Sequence, residues 1–230
     1  MSRTASENLL TGAAFIVGMR AEARIARHLG AIGIGAASAE RLAAEASALI
    51  SFGIAGGLDP ARLPGALVVP EAVVTPDGER FATDPALTAA LGGANAVAML
   101  ASPGIVGERA SKARLFAAFG AAAVDMESAA VARAAERHGI PFAVLRAIGD
   151  PAARDLPPAA IAAFDAKGIA AGRLIASLVA APGQIPALIA LARETQAALR
   201  ALRRRVDSIE RRSHGLAVNL TPQPSEQSPP

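Results

Sequence analysis

The sequence predicts an α/β fold: a mostly parallel twisted sheet flanked by helices, with a helical extension at its C-terminal end. Three observations carry this expectation. Short apolar runs alternate with Ala-rich stretches of helical spacing through the first 150 residues, the pattern of a sheet covered on both faces. The runs are nearly continuous in Val, Ile, Leu and Ala rather than alternating with polar residues, as strands buried on both sides require. The chain of 230 residues is 52% hydrophobic and 19% charged, which suits one large core and excludes a disordered chain.

Taken in order, Ala13 to Val17 reads as the first strand, with Gly18 at its carboxyl end and a helix from Arg20 to His28. Ala31 to Gly35 is the second strand, Ala39 to Ala48 a helix, and Ala48 to Phe52 the third strand. That strand runs into Gly53-Ile54-Ala55-Gly56-Gly57, read as a turn. The turn lacks the Lys-Ser/Thr of a phosphate loop and the spacing of a dinucleotide fingerprint. Its glycines still let backbone N–H groups approach a ligand closely. Ala66 to Val74 is a Val-rich strand interrupted by Pro70, Thr75 to Asp84 a polar surface excursion, and Ala94 to Leu100 another strand. Ser102-Pro103-Gly104 opens a loop, and Lys112 to Phe119 is a helix. From Ala123 to Asp150 the order is strand, helix over Ser128 to Arg137, then strand over Phe142 to Ile148. Gly139-Ile140-Pro141 stops the helix between them. Ala159 to Ala180 reads as an amphipathic helix packed on the sheet.

Four acids fall at strand ends in this reading: Glu22 after the first strand, Asp125 and Glu127 after one late strand, and Asp150 after the next. Ligands of open α/β sheets sit at the carboxyl ends of strands, so these side chains could share one crevice and do acid/base work. Helix capping explains Glu127 and Asp150 equally well, and a favourable helix dipole explains Glu22. Position alone leaves both readings open.

Composition narrows the rest. There is no Cys, which removes disulfides, thiolate chemistry and Cys-ligated zinc. Trp and Tyr are absent, so stacking falls to seven Phe. No cluster of His, Asp and Glu has ligand spacing, so no metal or redox cofactor is implied. His28, His138 and His214 fall on or near helix ends and read as surface residues. Met1 to Asn8 has neither a basic n-region nor a small-residue cleavage site, which reads as cytoplasmic. The uncharged stretch Leu174 to Ala192 is broken by Pro182-Gly183 and Pro186 and reads as two helix ends around a turn, not a membrane span.

Four segments, GMRAE at 18–22, GIG at 33–35, SFGIAGGLDP at 51–60 and VDMESAAVARAAERHGIPFAVLRAIGD at 124–150, occur in a recognisable order. Over Ala13 to Ala181 the chain resembles the nucleosidase/phosphorylase superfamily. It is similar to the methylthioadenosine/S-adenosylhomocysteine nucleosidases and most similar to the hopanoid-associated phosphorylases, which release adenine from adenosylhopane. The resemblance implies cleavage of a purine N-glycosidic bond without a cofactor, phosphate being a possible co-substrate. It gives Glu22 the attacking water, Glu127 the ribose hydroxyls and Asp150 the proton for purine N7. Asp125 and Met126 would line the ribose pocket. Asp150 must then be protonated when substrate binds, with a pKa raised by burial.

Departures from the family pattern point both ways. Gly149 stands where Ser or Thr usually precedes the acid, so one hydrogen bond to the base is missing. Ile54, in the turn with Gly56, replaces a hydroxyl that phosphorylases use for phosphate, which favours water. Arg20 and Arg24 lie where some phosphorylases keep a phosphate-binding Arg, which favours phosphate; both fit a solvated helix face as well. Ile105 replaces the aromatic residue expected to stack on the purine. An ordinary methylthioadenosine/adenosylhomocysteine nucleosidase, or a non-catalytic nucleoside binder, remains an alternative.

The domains expected are a catalytic unit over 1–181, a basic amphipathic helix over 182–214 and a disordered tail over 215–230. Leu188, Ala192, Thr195, Leu199, Leu202, Val206 and Ile209 form one apolar seam flanked by arginines. Such a helix over 185–214 suits an anionic membrane surface, or pairing with a second copy in the homodimer that the resemblance implies; an exposed helix resting on its own domain is the plainer alternative. Nucleic acid is not expected, because no aromatic residues accompany the arginines.

Overall fold

The computed structural model describes residues 10–165, 168–169 and 182–219. Nine strands build one mixed sheet, and the longest apolar runs of the sequence occupy its centre. Strand β1 (Ala13–Val17) is wholly buried and pairs in parallel with β2 (Ala31–Ile34) and β3 (Ala48–Gly57). Beyond β3 the chain adds β4 (Leu67–Val68), β5 (Ala72–Val74), β6 (Arg80–Ala82), β7 (Met99–Ala101), β8 (Ala123–Asp125) and β9 (Phe142–Asp150). The order is β2-β1-β3-β8-β7-β5-β6, with β9 lying along β3 and carrying β4 on its far side.

Strand β3 joins the two halves. Its first residues pair with β1, its length runs parallel to β9 from Leu49 opposite Phe142 to Gly56 opposite Asp150, and its last two residues turn antiparallel to β8. The five residues read as a turn are therefore strand. Glycine makes this possible: a Cβ on Gly57 would lie 3.1 Å from the Asp150 carbonyl oxygen, and Gly53 holds φ +147°.

Helices α1 (Arg20–Ala26), α2 (Ser38–Ala43), α3 (Pro85–Ala90), α4 (Arg109–Phe119), α5 (Ser128–His138), α6 (Pro158–Ala163) and α7 (Ile185–Asn219) cover the sheet. Successive strand residues face opposite ways, which splits the core in two. Ala14, Ile16, Leu49, Val144 and Ile148 pack with α2 and α5. Phe15, Val17, Ile50, Phe52 and Leu145 pack with α1, α3 and α7. Asp84 caps α3 by accepting from Ala86 and Leu87 N–H at 2.9 and 2.8 Å, with Pro85 at the first helical position. Helices α4 and α5 end on left-handed Gly120 and Gly139.

The structure corrects several element boundaries. Pro70 has no N–H to give a ladder, and the strand read through it is two strands, β4 and β5, with different partners. The polar excursion contains β6, which hairpins back onto β5 and buries Phe81. The helix read over Ala159 to Ala180 is six residues long, followed by a small antiparallel pair, Phe164–Asp165 with Gly168–Ile169; 170–181 lie outside the described residues.

The largest correction concerns the C-terminal helix. Helix α7 runs on to Asn219, so 215–219 are helical, and 220–230 lie outside the described residues. Of the apolar seam, Leu202, Val206 and Ile209, joined by Ala198, are buried with Phe15, Phe52 and Leu145 of this chain's own sheet. This C-terminal half of the seam joins the core together with Ile25 of α1 and Leu87 of α3. No helix among the described residues is long and apolar enough to cross a membrane.

Candidate active site

The site grows from the turn that follows β1. Helix α1 begins at Arg20, which puts Glu22 in its first turn with its carboxylate folded back toward the strand. Oε2 accepts the Gly18 and Met19 N–H groups at 2.9 and 2.8 Å, and Oε1 accepts the Ile54 N–H from β3 at 2.8 Å. Glu22 is 1% exposed. Burial pushes its carboxyl above the ordinary value of 4.5, against the downward pull of Arg146 and the backbone donors. Gly18 separates it from Glu127: a Cβ there would lie 3.1 Å from Glu127 Oε1 and 3.6 Å from Glu22 Oε2.

Strand β9 supplies the charge that holds this group of acids. Arg146, 1% exposed, meets Asp125 Oδ2 at 2.5 Å and Glu127 Oε2 at 3.2 Å through Nη2, which also donates to Ser51 Oγ at 2.7 Å. Its Nη1 donates to the Ile54 carbonyl at 3.3 Å, and its Nε has no partner among the described residues. Asp125 is bound from the other side by Ser128, whose Oγ and N–H donate at 2.6 and 3.2 Å, and Ser128 Oγ also meets Ser51 Oγ at 2.8 Å. Asp125, not Glu127, thus ties down the start of α5; Glu127 makes no capping bond. Burial raises the Glu127 carboxyl, Arg146 lowers it and Asp125 raises it further.

Asp150 is the last residue of β9, on the far side of the glycine stretch. It does not cap a helix. Its Oδ2 is paired with Lys112 of α4, while Oδ1 lies over Gly56, where a Cβ would stand 3.2 Å away. Lys112 is fully buried and also donates to the carbonyls of Pro151 and Arg154 at 2.9 and 3.2 Å, so it fixes the acid and the loop behind it together. Burial pushes the Asp150 carboxyl above 3.8, opposed by Lys112 and then Arg154. Replacing Lys112 with Met removes a downward pull. On the expectation that Asp150 donates the proton, the alkaline limb of the pH–rate profile for glycosidic cleavage moves to higher pH while kcat falls. An unmoved limb would mean that Asp150 does not carry the titrating proton.

The remaining candidates border these acids. Ile54 and Gly149 touch: a Cβ on Gly149 would lie 3.3 Å from Ile54 Cδ1. The two missing hydroxyls are therefore neighbours, and the isoleucine fills the space. Met126, between Asp125 and Glu127 in the chain, is exposed, and so is Ile105. Ile105 borders an open groove of about 480 Å³ with Val106, Leu115 and Ile161. Arg20 and Arg24 are exposed.

Sequence reasoning missed Arg146 and Lys112. Both left a signal. Arg146 interrupts an otherwise apolar strand, where a buried charge must find partners. Lys112 is one of two lysines in a chain that otherwise uses arginine.

The phosphorylase superfamily model matches residues 15–181. A 5′-methylthioadenosine/S-adenosylhomocysteine nucleosidase from Neisseria meningitidis, solved with methylthio-immucillin-A, superposes with a TM-score of 0.60 at 19% identity, covering 87% of this chain and 98% of that one. The Helicobacter pylori nucleosidase of the same name, solved with butyl-thio-DADMe-Immucillin-A, gives 0.56 at 18% identity over 85% and 97%. A futalosine hydrolase mutant of Helicobacter pylori strain 26695 gives 0.54 at 18% identity over 62% and 89%. At these identities the likeness is one of fold. No curated protein sequence matches significantly. The match over 15–181 settles the family: the chain belongs to the phosphorylase superfamily.

Proposed function

We propose that this enzyme hydrolyses the purine N-glycosidic bond of an adenosine derivative and releases adenine. Glu22 carries the argument for water as nucleophile. Its carboxylate already fills the N–H groups of Gly18, Met19 and Ile54, the donors at the first strand end and the glycine stretch that an anion would use. A phosphate dianion brought there meets a buried carboxylate, whereas a water molecule meets a base.

The reaction follows from the positions of the acids. Glu22 takes a proton from water as its oxygen bonds to C1′ of the ribose. The C1′–N9 bond breaks with its electron pair passing to the purine, and Asp150 delivers a proton to N7. Glu127 holds the ribose hydroxyls, its own position fixed by Arg146, and its charge favours the positive sugar of the transition state. Met126 and Asp125 back the ribose, and Ile54, Gly149 and Ile105 give the base an apolar wall.

The substrate we propose is adenosylhopane. The resemblance of the four motif segments supports it, and so do the exposed apolar side chains of Met126, Ile105 and Ile161, which suit an apolar 5′ substituent. The test compares adenine release from adenosylated hopanoid in detergent with release from methylthioadenosine. Higher kcat/KM on the lipid is expected; preference for the small nucleoside would overturn the substrate, and release from neither would overturn the reaction.

A further inference from the structure

Helix α7 packs the C-terminal half of its apolar seam on the sheet and turns a different surface outward. Ile185, Ile189, Arg193, Arg200, Arg204 and Arg211 follow at steps of four and seven, which keeps them on one side of a helix, opposite buried Ala198, Leu202, Val206 and Ile209. Ile185 and Ile189 are 47% and 48% exposed, and the four arginines are exposed too. Arg203 and Arg212 flank the row in the same state. The acids of the helix lie lower: Glu194, Asp207 and Glu210 are half-buried, and Glu194 is paired with Arg154.

That pair also fixes where the surface stands. The carbonyl of Arg154 receives Lys112, and Lys112 holds Asp150, so the N-terminal half of α7 is tied to the loop behind the candidate proton donor. A second tie runs from the Ala159 N–H of α6 to Gln184 Oε1, at 2.8 Å, just before α7 begins. Ile161 on α6 packs against Gly107, two residues from Ile105. Ile105 and Ile161 line one groove, Ile185 and Ile189 follow the Gln184 tie toward the arginine row, and all four are exposed.

We propose that the outward face of α7, together with the exposed isoleucines beside the site, docks on the surface of an anionic lipid bilayer. A bilayer surface offers what this face needs in order: an apolar layer for the isoleucines and anionic headgroups for the arginines. Single-stranded nucleic acid fits the charge but not the isoleucines, and the face has no aromatic platform for bases. Because the C-terminal half of the seam is buried in the core, docking adds a peripheral contact and inserts no helix.

The test is sedimentation of the full chain with vesicles of phosphatidylcholine alone or mixed with phosphatidylglycerol, a readout that needs no turnover and so stands apart from the proposed reaction. Binding to the anionic vesicles alone is expected, released by salt. The triple variant Arg200→Gln, Arg204→Gln, Arg211→Gln should weaken it by about fivefold per arginine, and Ile185→Asn with Ile189→Asn should weaken it further. All five side chains face solvent, and circular dichroism checks that the variants fold; if they do not, the salt titration of the unaltered protein decides. Absent binding to anionic vesicles, equal binding to neutral ones, salt-insensitive binding, an unaffected triple variant, or tighter binding to single-stranded nucleic acid would each overturn the proposal.

Discussion

Replacing Asp150 with Asn is expected to lower kcat for adenine release by about 10²–10⁴, the usual worth of a positioned general acid. The substitution keeps the shape and the contact with Lys112 but removes the proton that the proposed mechanism delivers to N7. Without it the purine leaves as an anion in a buried site, where unneutralised charge is most costly. KM should move little, because the lost interaction forms as the bond breaks. Measuring kcat and KM by adenine release separates these effects. Full turnover in the variant would remove Asp150 from the mechanism.

Exchanging Arg146 for Met should cost about 3–5 kcal/mol of stability, the range found when one partner of a buried charge network is removed. The arginine is buried beside Asp125, Glu127 and, at longer range, Glu22, and it bonds Ser51 and the Ile54 carbonyl. Its loss leaves like charges facing one another in the core. Urea denaturation should show the drop at neutral pH, and the variant should recover on acidification. The sign follows from the raised carboxyls: Glu22 and Glu127 bind protons more tightly folded than unfolded. Stability from such groups is present below their ordinary values and is lost as pH rises through their folded ones. Without Arg146 their folded values rise further, so protonation relieves more of the repulsion. An unchanged urea midpoint would mean that the ion network contributes nothing net.

The sheet was legible because its strands are buried on both faces and therefore read as apolar runs; β1, β2, β3 and β9 start where those runs begin. The glycine stretch after Phe52 misled because local rules read glycines as a turn, whereas here they thin a strand so that Glu22, Arg146 and Asp150 can close around it. The C-terminal seam misled in a similar way. Its period identified a helix with one apolar side but carried no information about what would cover that side, and β9 did. Of the site, the acids were visible at strand ends. Their counter-charges were not, because Arg146 lies within a strand and Lys112 within a helix distant in sequence, and only the fold brings them to Asp125, Glu127 and Asp150.

The most direct measurement of the central claim is the origin of the oxygen at C1 of the ribose product. The enzyme is incubated with an adenosine derivative in ¹⁸O-water, with and without phosphate, and the sugar is read by mass spectrometry. Adenine release with ¹⁸O at C1 and no dependence on phosphate is the predicted result. A ribose 1-phosphate product, formed only when phosphate is present, would contradict it.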